Sequence, residues 1–280
     1  MRWTPEGRSS NIEDRRSGGG MGRTLGVGGT VVVAVLSMVF GRNLFSDLGV
    51  TPAGSTASAP MTPQDSVREE PEVQFVSFVL DDAQKTWATI LPQEGVRYHD
   101  AKLVLFRDAV QSGCGNAQAA MGPFYCPQDE RVYIDLGFYD ELRDKFGADG
   151  NFAQAYVLTH EIGHHVQHLL GTDAKVRQLQ EAHPELANAL SVRLELQADC
   201  YAGVWGHSTE QRKLLEQGDE EKALNAASAV GDDRIQQRET GHINVDAFTH
   251  GSAQQRASWF RRGFEQGNPE ACNTFADLQS

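Results

Sequence analysis

The chain has little positive charge for its length. It carries 25 lysines and arginines against 38 aspartates and glutamates, a formal net charge of −13 in 280 residues. A protein this acidic lacks the basic surface that attracts phosphate groups, so nucleic-acid binding is excluded as its main role. Its length and its 40% hydrophobic content suit one folded domain with appendages.

Cysteine is scarce too, and none of the four has the close double spacing of a structural zinc site. We therefore expect the cysteines to pair in an oxidising compartment. Three pairings are open. Cys114 with Cys126 would close a short loop among the strands, and Cys200 with Cys272 would tie the C-terminal tail to a helix.

The sequence has one long hydrophobic run and no second. Residues 24–41 are uncharged and lie between Arg23 and Arg42. As a helix, this run would rise about 27 Å, just enough to cross a bilayer core. A cleaved signal peptide is the competing interpretation, although the nearest small-residue site, residues 57–59, lies far downstream. We predict an uncleaved single-pass anchor in the cell membrane, with the N-terminus cytoplasmic and the rest of the chain extracytoplasmic.

Two segments beside this anchor are too polar to form a core. Residues 1–23 are predicted to be a basic, disordered cytoplasmic tail. Residues 42–72 are predicted to be a flexible linker, because residues 51–72 are rich in Pro, Ser, Thr and Ala. Residues 73–280 remain as the folded domain.

Apolar spacing in residues 73–280 predicts an α+β fold, mostly helical with a small sheet. The predicted helices run from Val73 to just before Pro92, over residues 151–170 and over residues 184–216. The predicted strands lie at residues 102–106, near Phe124 and at residues 132–136. Residues 115–120 suit either a loop or an edge strand with which an extended peptide could pair.

Residues 160–164 read His-Glu-Ile-Gly-His within one of these helices. His160 and His164 are four apart, so they share a helix face and can reach a single tetrahedral zinc ion. Glu161 can take a proton from a metal-bound water, which makes it the candidate general base of a hydrolase. Gly163 is costly inside a helix and indicates that another backbone or a ligand comes close there.

A catalytic zinc ion needs a third protein ligand. Glu195 and Asp199 are again four residues apart, in a helical stretch rich in apolar residues. The longer Glu195 is predicted to bind zinc, whereas Asp199 would accept the second ring proton of a ligand histidine. His168, Asp199 itself and Cys200 are the other candidates for the third ligand.

With these motifs, the chain resembles the bacterial neutral zinc metallopeptidase family over nearly its whole length. The resemblance implies a zincin-like domain and a membrane anchor, and it supplies no substrate. Besides the histidine motif, it rests on Met1-Arg-Trp, Asn11-Ile-Glu-Asp-Arg-Arg16, Ser112-Gly-Cys-Gly115, Gly122-Pro-Phe-Tyr-Cys-Pro127, Val132-Tyr-Ile-Asp135 and His250-Gly-Ser252.

A weaker similarity connects the chain with the CAAX-processing and heat-shock membrane metalloproteases. Residues 195–199 match their Glu-x-x-Ala-Asp element, and residues 250–256 match a downstream His-Pro-x-x-x-x-Arg. Gly251 stands where that element has proline. Because this chain has one hydrophobic run rather than several, an intramembrane active site is not implied.

Peptide hydrolysis also needs a group that stabilises the oxyanion. Its place in the His-x5-Arg element makes His250 the first candidate, with Tyr125, His207 and His242 behind it. Arg256 would orient His250 or pair with a carboxylate of the site.

The sequence thus predicts a membrane-anchored zinc metalloendopeptidase with a peptide or protein substrate. Water activated by one zinc ion would lose a proton to Glu161 and attack the peptide carbonyl. Two alternatives keep the zinc: a membrane-tethered binding or chaperone-like module, and a hydrolase of non-peptide amides such as cell-wall components. The intact Glu161 argues against the first, and nothing in the sequence specifies the oligomeric state.

Overall fold

The computed structural model describes residues 1–16 and 62–276. The predicted anchor, residues 24–41, and most of the predicted linker lie outside these ranges. Within the described ranges, no helix combines the length and the apolar character that a membrane span requires.

The described residues form eight helices and six strands, in agreement with a mostly helical α+β fold. The helices are α1 (Pro63–Ile90), α2 (Gly137–Asp144), α3 (Asn151–Leu169), α4 (Thr172–Ala182), α5 (Ala187–Gln211), α6 (Asp219–Ala229), α7 (Asp232–Thr240) and α8 (Ala253–Gln266). The strands are β1 (Ile12–Asp14), β2 (Lys102–Phe106), β3 (Ala109–Ser112), β4 (Gly115–Gln118), β5 (Phe124–Cys126) and β6 (Arg131–Asp135).

These elements belong to two compact units. A helical unit comprises the described parts of Met1–Asn11, Val73–Ala101 and Tyr139–Ser280. A sheet unit comprises the described parts of Ile12–Glu72 and Lys102–Phe138. The candidate metal ligands all lie in the helical unit.

The sheet unit contains a four-stranded sheet in the order β1-β2-β6-β5. Strands β1, β2 and β6 are parallel, and β5 runs antiparallel to β6. Val104, Phe106, Cys126 and Tyr133 form its buried core. The predicted strands are therefore present, each within a residue or two of its expected position. Residues 115–118 are a strand as well, paired antiparallel with β3.

Residues 1–16 differ from the disordered tail that the sequence predicts. In the helical unit, the ring of Trp3 lies 5.3 Å from that of Phe75, and Ser9 Oγ donates to Asp81 at 2.6 Å. In the sheet unit, β1 pairs with β2, and the buried Arg16 bonds to Asp14 and to Glu69. A three-residue strand gains its stability from tertiary pairing, so its own polar composition gave no sign of it.

The predicted linker also ends earlier than expected, because α1 begins at Pro63. Thr62 Oγ1 accepts from the backbone N–H of Asp65 at 3.2 Å, and the Asp65 carboxylate accepts from the backbone N–H of Thr62 at 3.0 Å. This reciprocal cap, followed by proline in the first turn, is a helix-start signal that composition alone obscured.

Helices α5 and α8 pack with their backbones in direct proximity. A Cβ placed on Gly203 would lie 2.1 Å from the carbonyl oxygen of Phe260, and one on Gly263 would lie 1.9 Å from that of Cys200. Each glycine therefore admits the backbone of the other helix. The predicted helix 184–216 is shorter than expected, since α5 ends at Gln211 and a 3₁₀ turn covers Pro184–Leu186.

Both disulfide bonds suggested by the sequence are formed, and no described cysteine is free. Cys114–Cys126 joins β5 to the turn after β3 in the sheet unit. Cys200–Cys272 joins α5 to the C-terminal 3₁₀ turn Pro269–Cys272 in the helical unit. The second bond therefore fixes the C-terminal segment to the helix that carries Glu195.

Candidate metal centre

Two packed helices bring the three predicted ligands together. His160 and His164 lie on α3, and Glu195 lies on α5. Nε2 of His160 is 3.1 Å from Glu195 Oε2, and Nε2 of His164 is 3.4 Å from Glu195 Oε1. With bonds near 2.0–2.1 Å, the donors of a tetrahedral zinc site lie about 3.3 Å apart. The spacing and the chemistry of these donors therefore fit zinc.

The helices can approach this closely because of Gly163. A Cβ at this position would lie 2.9 Å from the carbonyl oxygen of Ala198 and 3.1 Å from its Cα. Ala198 is on α5, three residues after Glu195. The missing side chain therefore permits the contact that brings Glu195 to the two histidines, as the glycine inside the motif indicated.

Asp199 lies fully buried behind His160. Its Oδ1 is 2.8 Å from His160 Nδ1 and accepts from the Tyr156 hydroxyl at 2.6 Å. Its Oδ2 accepts from Arg256 Nε at 2.8 Å. With Nδ1 occupied by Asp199, the ring of His160 presents Nε2 to Glu195.

Each remaining candidate for the third ligand is engaged elsewhere. Cys200 is bonded to Cys272, and His168 Nδ1 lies 2.9 Å from Asp173. Asp199 holds His160 from the far side of the ring. Among residues 1–16 and 62–276, His160, His164 and Glu195 form the one group of three such side chains whose donor atoms lie within 4.8 Å of one another.

The pKa of each ionisable group in this cluster depends on the charges of its neighbours. Burial lowers the pKa of His160, but the charge and hydrogen bond of Asp199 outweigh burial and raise it to about 10. Burial also lowers the pKa of His164, and the charge of Glu195 reverses the effect and raises it. Burial raises the pKa of Glu195, yet the facing histidines hold it well below its usual range. Zinc requires neutral imidazole and ionised carboxylate, so it would displace the ring protons that now balance Glu195.

Glu161 is buried beside this cluster. Burial raises the pKa of its carboxyl group, while the charges of His160 and His164 act in the opposite direction. A carboxyl group with a raised pKa is a better proton acceptor near neutral pH than an exposed glutamate.

His250 stands on a loop between α7 and α8, with its side chain 51% exposed. Its Nδ1 lies 3.2 Å from Asp232 Oδ1, at the start of α7. The loop passes over α5 near Glu195, because a Cβ on Gly251 would lie 3.3 Å from the side chains of Val192 and Leu196. Burial lowers the pKa of His250, but the charges of Glu195 and Asp232 outweigh burial and raise it.

The other residues proposed for oxyanion stabilisation have different surroundings. His207 Nδ1 lies 2.7 Å from the carbonyl oxygen of Phe264, and His242 is exposed. Tyr125 is part of β5 in the sheet unit. Of the two roles expected for Arg256, the structure shows pairing with a site carboxylate, Asp199.

Comparison with known proteins shows which family the chain belongs to. A family model described as "Putative neutral zinc metallopeptidase" matches residues 1–275. The chain belongs to this family. "Uncharacterized protein YpfJ" of Escherichia coli (strain K12) is 49% identical over 288 aligned residues, which cover 98% of this chain and 99% of that protein. "Uncharacterized protein Rv2575" of Mycobacterium tuberculosis (strain ATCC 25618 / H37Rv) is 39% identical over 258 residues, covering 82% and 85% respectively. No solved structure matches.

For a member of the neutral zinc metallopeptidase family, zinc is the implied metal, and the three donors fit it. Three further side chains of the site were missed from the sequence: Tyr156, which bonds to Asp199; Asp232, which bonds to His250; and Gln167. Gln167 Oε1 lies 2.8 Å from His164 Nδ1. Tyr156 lies one helical turn before His160 and Gln167 one turn after His164, so a search for polar residues at helical spacing from the motif would have found both.

Proposed function

We propose that this protein is a zinc-dependent metallopeptidase that hydrolyses peptide bonds in a peptide or protein substrate. The proposal is carried by one observation: the buried carboxyl group of Glu161 lies within electrostatic reach of three donors spaced for one zinc ion. A ligand set without catalysis would have no use for a further buried carboxylate next to it, since burying a charge is costly.

The residues divide the work as follows. His160, His164 and Glu195 would hold one zinc ion, which supplies a Lewis acid that polarises water and a substrate carbonyl. Glu161 would accept a proton from the attacking water and pass it to the leaving amine nitrogen. Its raised pKa suits both transfers, because the carboxylate must take up the proton and then release it.

His250 would stabilise the oxyanion. Asp232 lies at Nδ1 of the ring, which leaves Nε2 as the nitrogen available to a substrate. The raised pKa of His250 favours the doubly protonated ring, and that ring donates from Nε2 to a developing negative charge. Its side chain is half exposed and lies within electrostatic reach of Glu195, so a substrate near the metal donors can reach it.

Membrane attachment through residues 24–41 is part of the proposal, supported by the uncharged run between Arg23 and Arg42. The two disulfide bonds support an extracytoplasmic location of the site, because thiols stay reduced in the cytosol.

The activity can be tested with the full chain in its native membrane. Cells expressing wild type or Glu161→Gln are compared by mass spectrometry of new protein N-termini in the cell envelope. We expect termini that appear with wild type and vanish with Glu161→Gln, although the variant keeps its zinc. Equal termini in both strains would contradict peptidase action, and released cell-wall amides would instead identify a non-peptide hydrolase.

A further inference from the structure

The ligand His164 is held from behind by a buried amide. Its Nδ1 lies 2.8 Å from Oε1 of Gln167, which has no exposed surface. Gln167 also donates from Nε2 to the carbonyl oxygen of Leu194 at 2.7 Å, next to Glu195 in the chain. We infer that Gln167 is a positioning residue, which fixes the ring of one metal ligand and the backbone beside another.

A second buried amide determines which atom of Gln167 faces His164. Gln197 Nε2 donates to the carbonyl oxygen of Cys272 at 3.1 Å, and Gln197 Oε1 accepts from Gln167 Nε2 at 3.1 Å. The backbone oxygens of Cys272 and Leu194 can only accept, so each amide must turn its nitrogen towards them. Gln167 therefore presents its oxygen to His164. The ring carries its proton on Nδ1 and keeps the lone pair of Nε2 for the metal.

The two linked amides connect His164 to the Cys200–Cys272 disulfide bond. Cys272, whose carbonyl oxygen anchors Gln197, is bonded to Cys200 on α5. The C-terminal turn Pro269–Cys272 is thus connected through two buried amides to the ring of His164. His160 is held by the charged Asp199, and His164 is held by a neutral network that ends at the disulfide bond.

The inference rests on the proposed zinc site and is tested by metal affinity rather than by turnover. Full-length protein in detergent is titrated with zinc against a chromophoric chelator, and the visible spectrum of the cobalt form is recorded. Gln167→Leu, which is close in size, should weaken zinc binding roughly 10- to 100-fold, as expected for loss of a group that orients a ligand. It should also alter the cobalt spectrum. Gln167→Glu keeps an acceptor for Nδ1 but turns a carboxylate oxygen towards the carbonyl oxygen of Leu194, so it should weaken zinc binding as well.

Gln180→Leu is the matched control. Gln180 makes two similar bonds, to the carbonyl oxygen of Ala187 and to Ser191 Oγ, and neither bond involves a ligand or its direct neighbour in the chain. Should Gln167→Leu fail to fold, Gln197→Leu removes the next contact without touching His164 and should still weaken zinc binding. Affinity unchanged in Gln167→Leu, or reduced equally in Gln180→Leu, would overturn the role of Gln167. No zinc binding by wild type would instead overturn the proposed function.

A separate set of contacts bears on membrane topology. The backbone N–H of Arg2 donates to the carbonyl oxygen of Leu214 at 2.7 Å, and Asn11 Nδ2 donates to Asp100 at 2.9 Å. Arg16 is buried between Asp14 and Glu69. One crossing between residues 16 and 62 would separate these partners by a hydrocarbon core of about 30 Å. We propose that residues 1–16 lie on the same side of the membrane as residues 62–276. This replaces both the single crossing and the cytoplasmic N-terminus expected from the sequence, whereas membrane attachment through residues 24–41 stays part of the proposed function.

Epitope tags inserted in the glycine run 18–20 and after Ser280 can test the proposal in spheroplasts. An impermeant protease should remove both tags or neither. Opposite accessibility of the two tags would overturn the proposal. A benzoylphenylalanine in place of Trp3 checks that the fold survives in cells, because it should cross-link to the peptide that contains Phe75. No cross-link in a chain that reaches full length would count against the proposal as well.

Discussion

The two halves of the candidate site are held in different ways. The metal donors lie on α3 and α5, two helices whose backbones touch at Gly163 and Ala198. His250 lies on a half-exposed loop, where Asp232 Oδ2 accepts from the backbone N–H groups of Thr249, His250 and Gly251 at 2.7, 2.7 and 3.0 Å. Helix packing fixes the donors before a metal arrives, whereas one carboxylate fixes the loop. Changes on the loop should therefore affect catalysis without affecting zinc, and changes between the helices should affect zinc.

Apart from the loss of the general base Glu161, the largest effect on turnover is expected on the loop. His250→Ala removes a hydrogen bond made chiefly in the transition state and should lower kcat roughly 10²- to 10³-fold. Zinc content should stay at the wild-type level, and Tm should fall by no more than a few degrees, because His250 contributes at most about 1 kcal/mol to stability. Steady-state kinetics on an identified substrate and elemental analysis check both statements. Unchanged kcat would make His250 a surface residue, and lost zinc would make it a ligand.

This division also shows what the sequence could predict. The spacing of His160, Glu161 and His164 on one helix, and of Glu195 and Asp199 on another, is local and was readable. The position of Gly163 even indicated the contact with a second backbone. The position of Tyr156 on the motif helix was readable too, but its bond to Asp199 on another helix was not. Asp232 acts through His250, a partner far away in the chain, and one sequence carries no distances between helices.

The N-terminal segment also depends on contacts that are distant in the chain. Residues 1–16 contribute one short strand and a few side-chain bonds to a fold formed elsewhere, so neither periodicity nor composition marks them. The early start of α1 was different. Thr62-Pro-Gln-Asp65 is a cap that local rules describe, but the Pro-rich surroundings favoured a linker. The pairing of β1 with a distant strand could not be predicted from the sequence. The start of α1 could have been predicted.

The second largest effect, on zinc affinity, is expected for Asp199, which holds His160 from behind. Asp199→Ala removes the acceptor of its Nδ1 proton and leaves the guanidinium of Arg256 buried without its main partner. Zinc affinity should fall roughly 10- to 100-fold. Competition with a chelator measures this, and Asp173→Ala, beside the non-ligand His168, is the control. Equal affinities in wild type and Asp199→Ala would show that packing alone orients the ring.

Gly163→Ala tests whether the helix contact itself places the donors. The added methyl group would lie 2.9 Å from a backbone oxygen, so α3 and α5 must move apart. We expect a loss of about 1–3 kcal/mol of unfolding free energy, the usual cost of overpacking a core, together with weaker zinc binding. Thermal unfolding with and without zinc measures both. Gly171→Ala, at a position with open space around it, provides a comparison for a strained glycine without a helix contact.

The smallest effect concerns the ion pair between Asp232 and His250, which helps to fix the loop. Burial raises the pKa of Asp232, but His250 and backbone N–H groups lower it overall. Stabilisation by Asp232 is present above its unfolded pKa and is lost as pH falls through the lowered folded value. Stabilisation by His250 is present below its unfolded pKa and is lost as pH rises through the raised folded value. The pair should therefore stabilise most between about pH 4 and 6.5.

Because His250 is half exposed, we expect a contribution of at most about 1 kcal/mol. The difference in unfolding free energy between wild type and His250→Gln should be largest near pH 5 and should shrink at alkaline pH. A difference that does not vary with pH would mean that the ion pair adds nothing beyond the backbone bonds of Asp232.

The central claim is that the donors on α3 and α5 hold one zinc ion, and metal analysis of three purified full-length proteins tests it most directly. Wild type and Glu161→Gln should each contain one zinc per chain, because Glu161 is not a ligand. Glu195→Ala should contain little, since it lacks one of three ligands. A full complement of zinc in Glu195→Ala, or none in wild type, would contradict the claim.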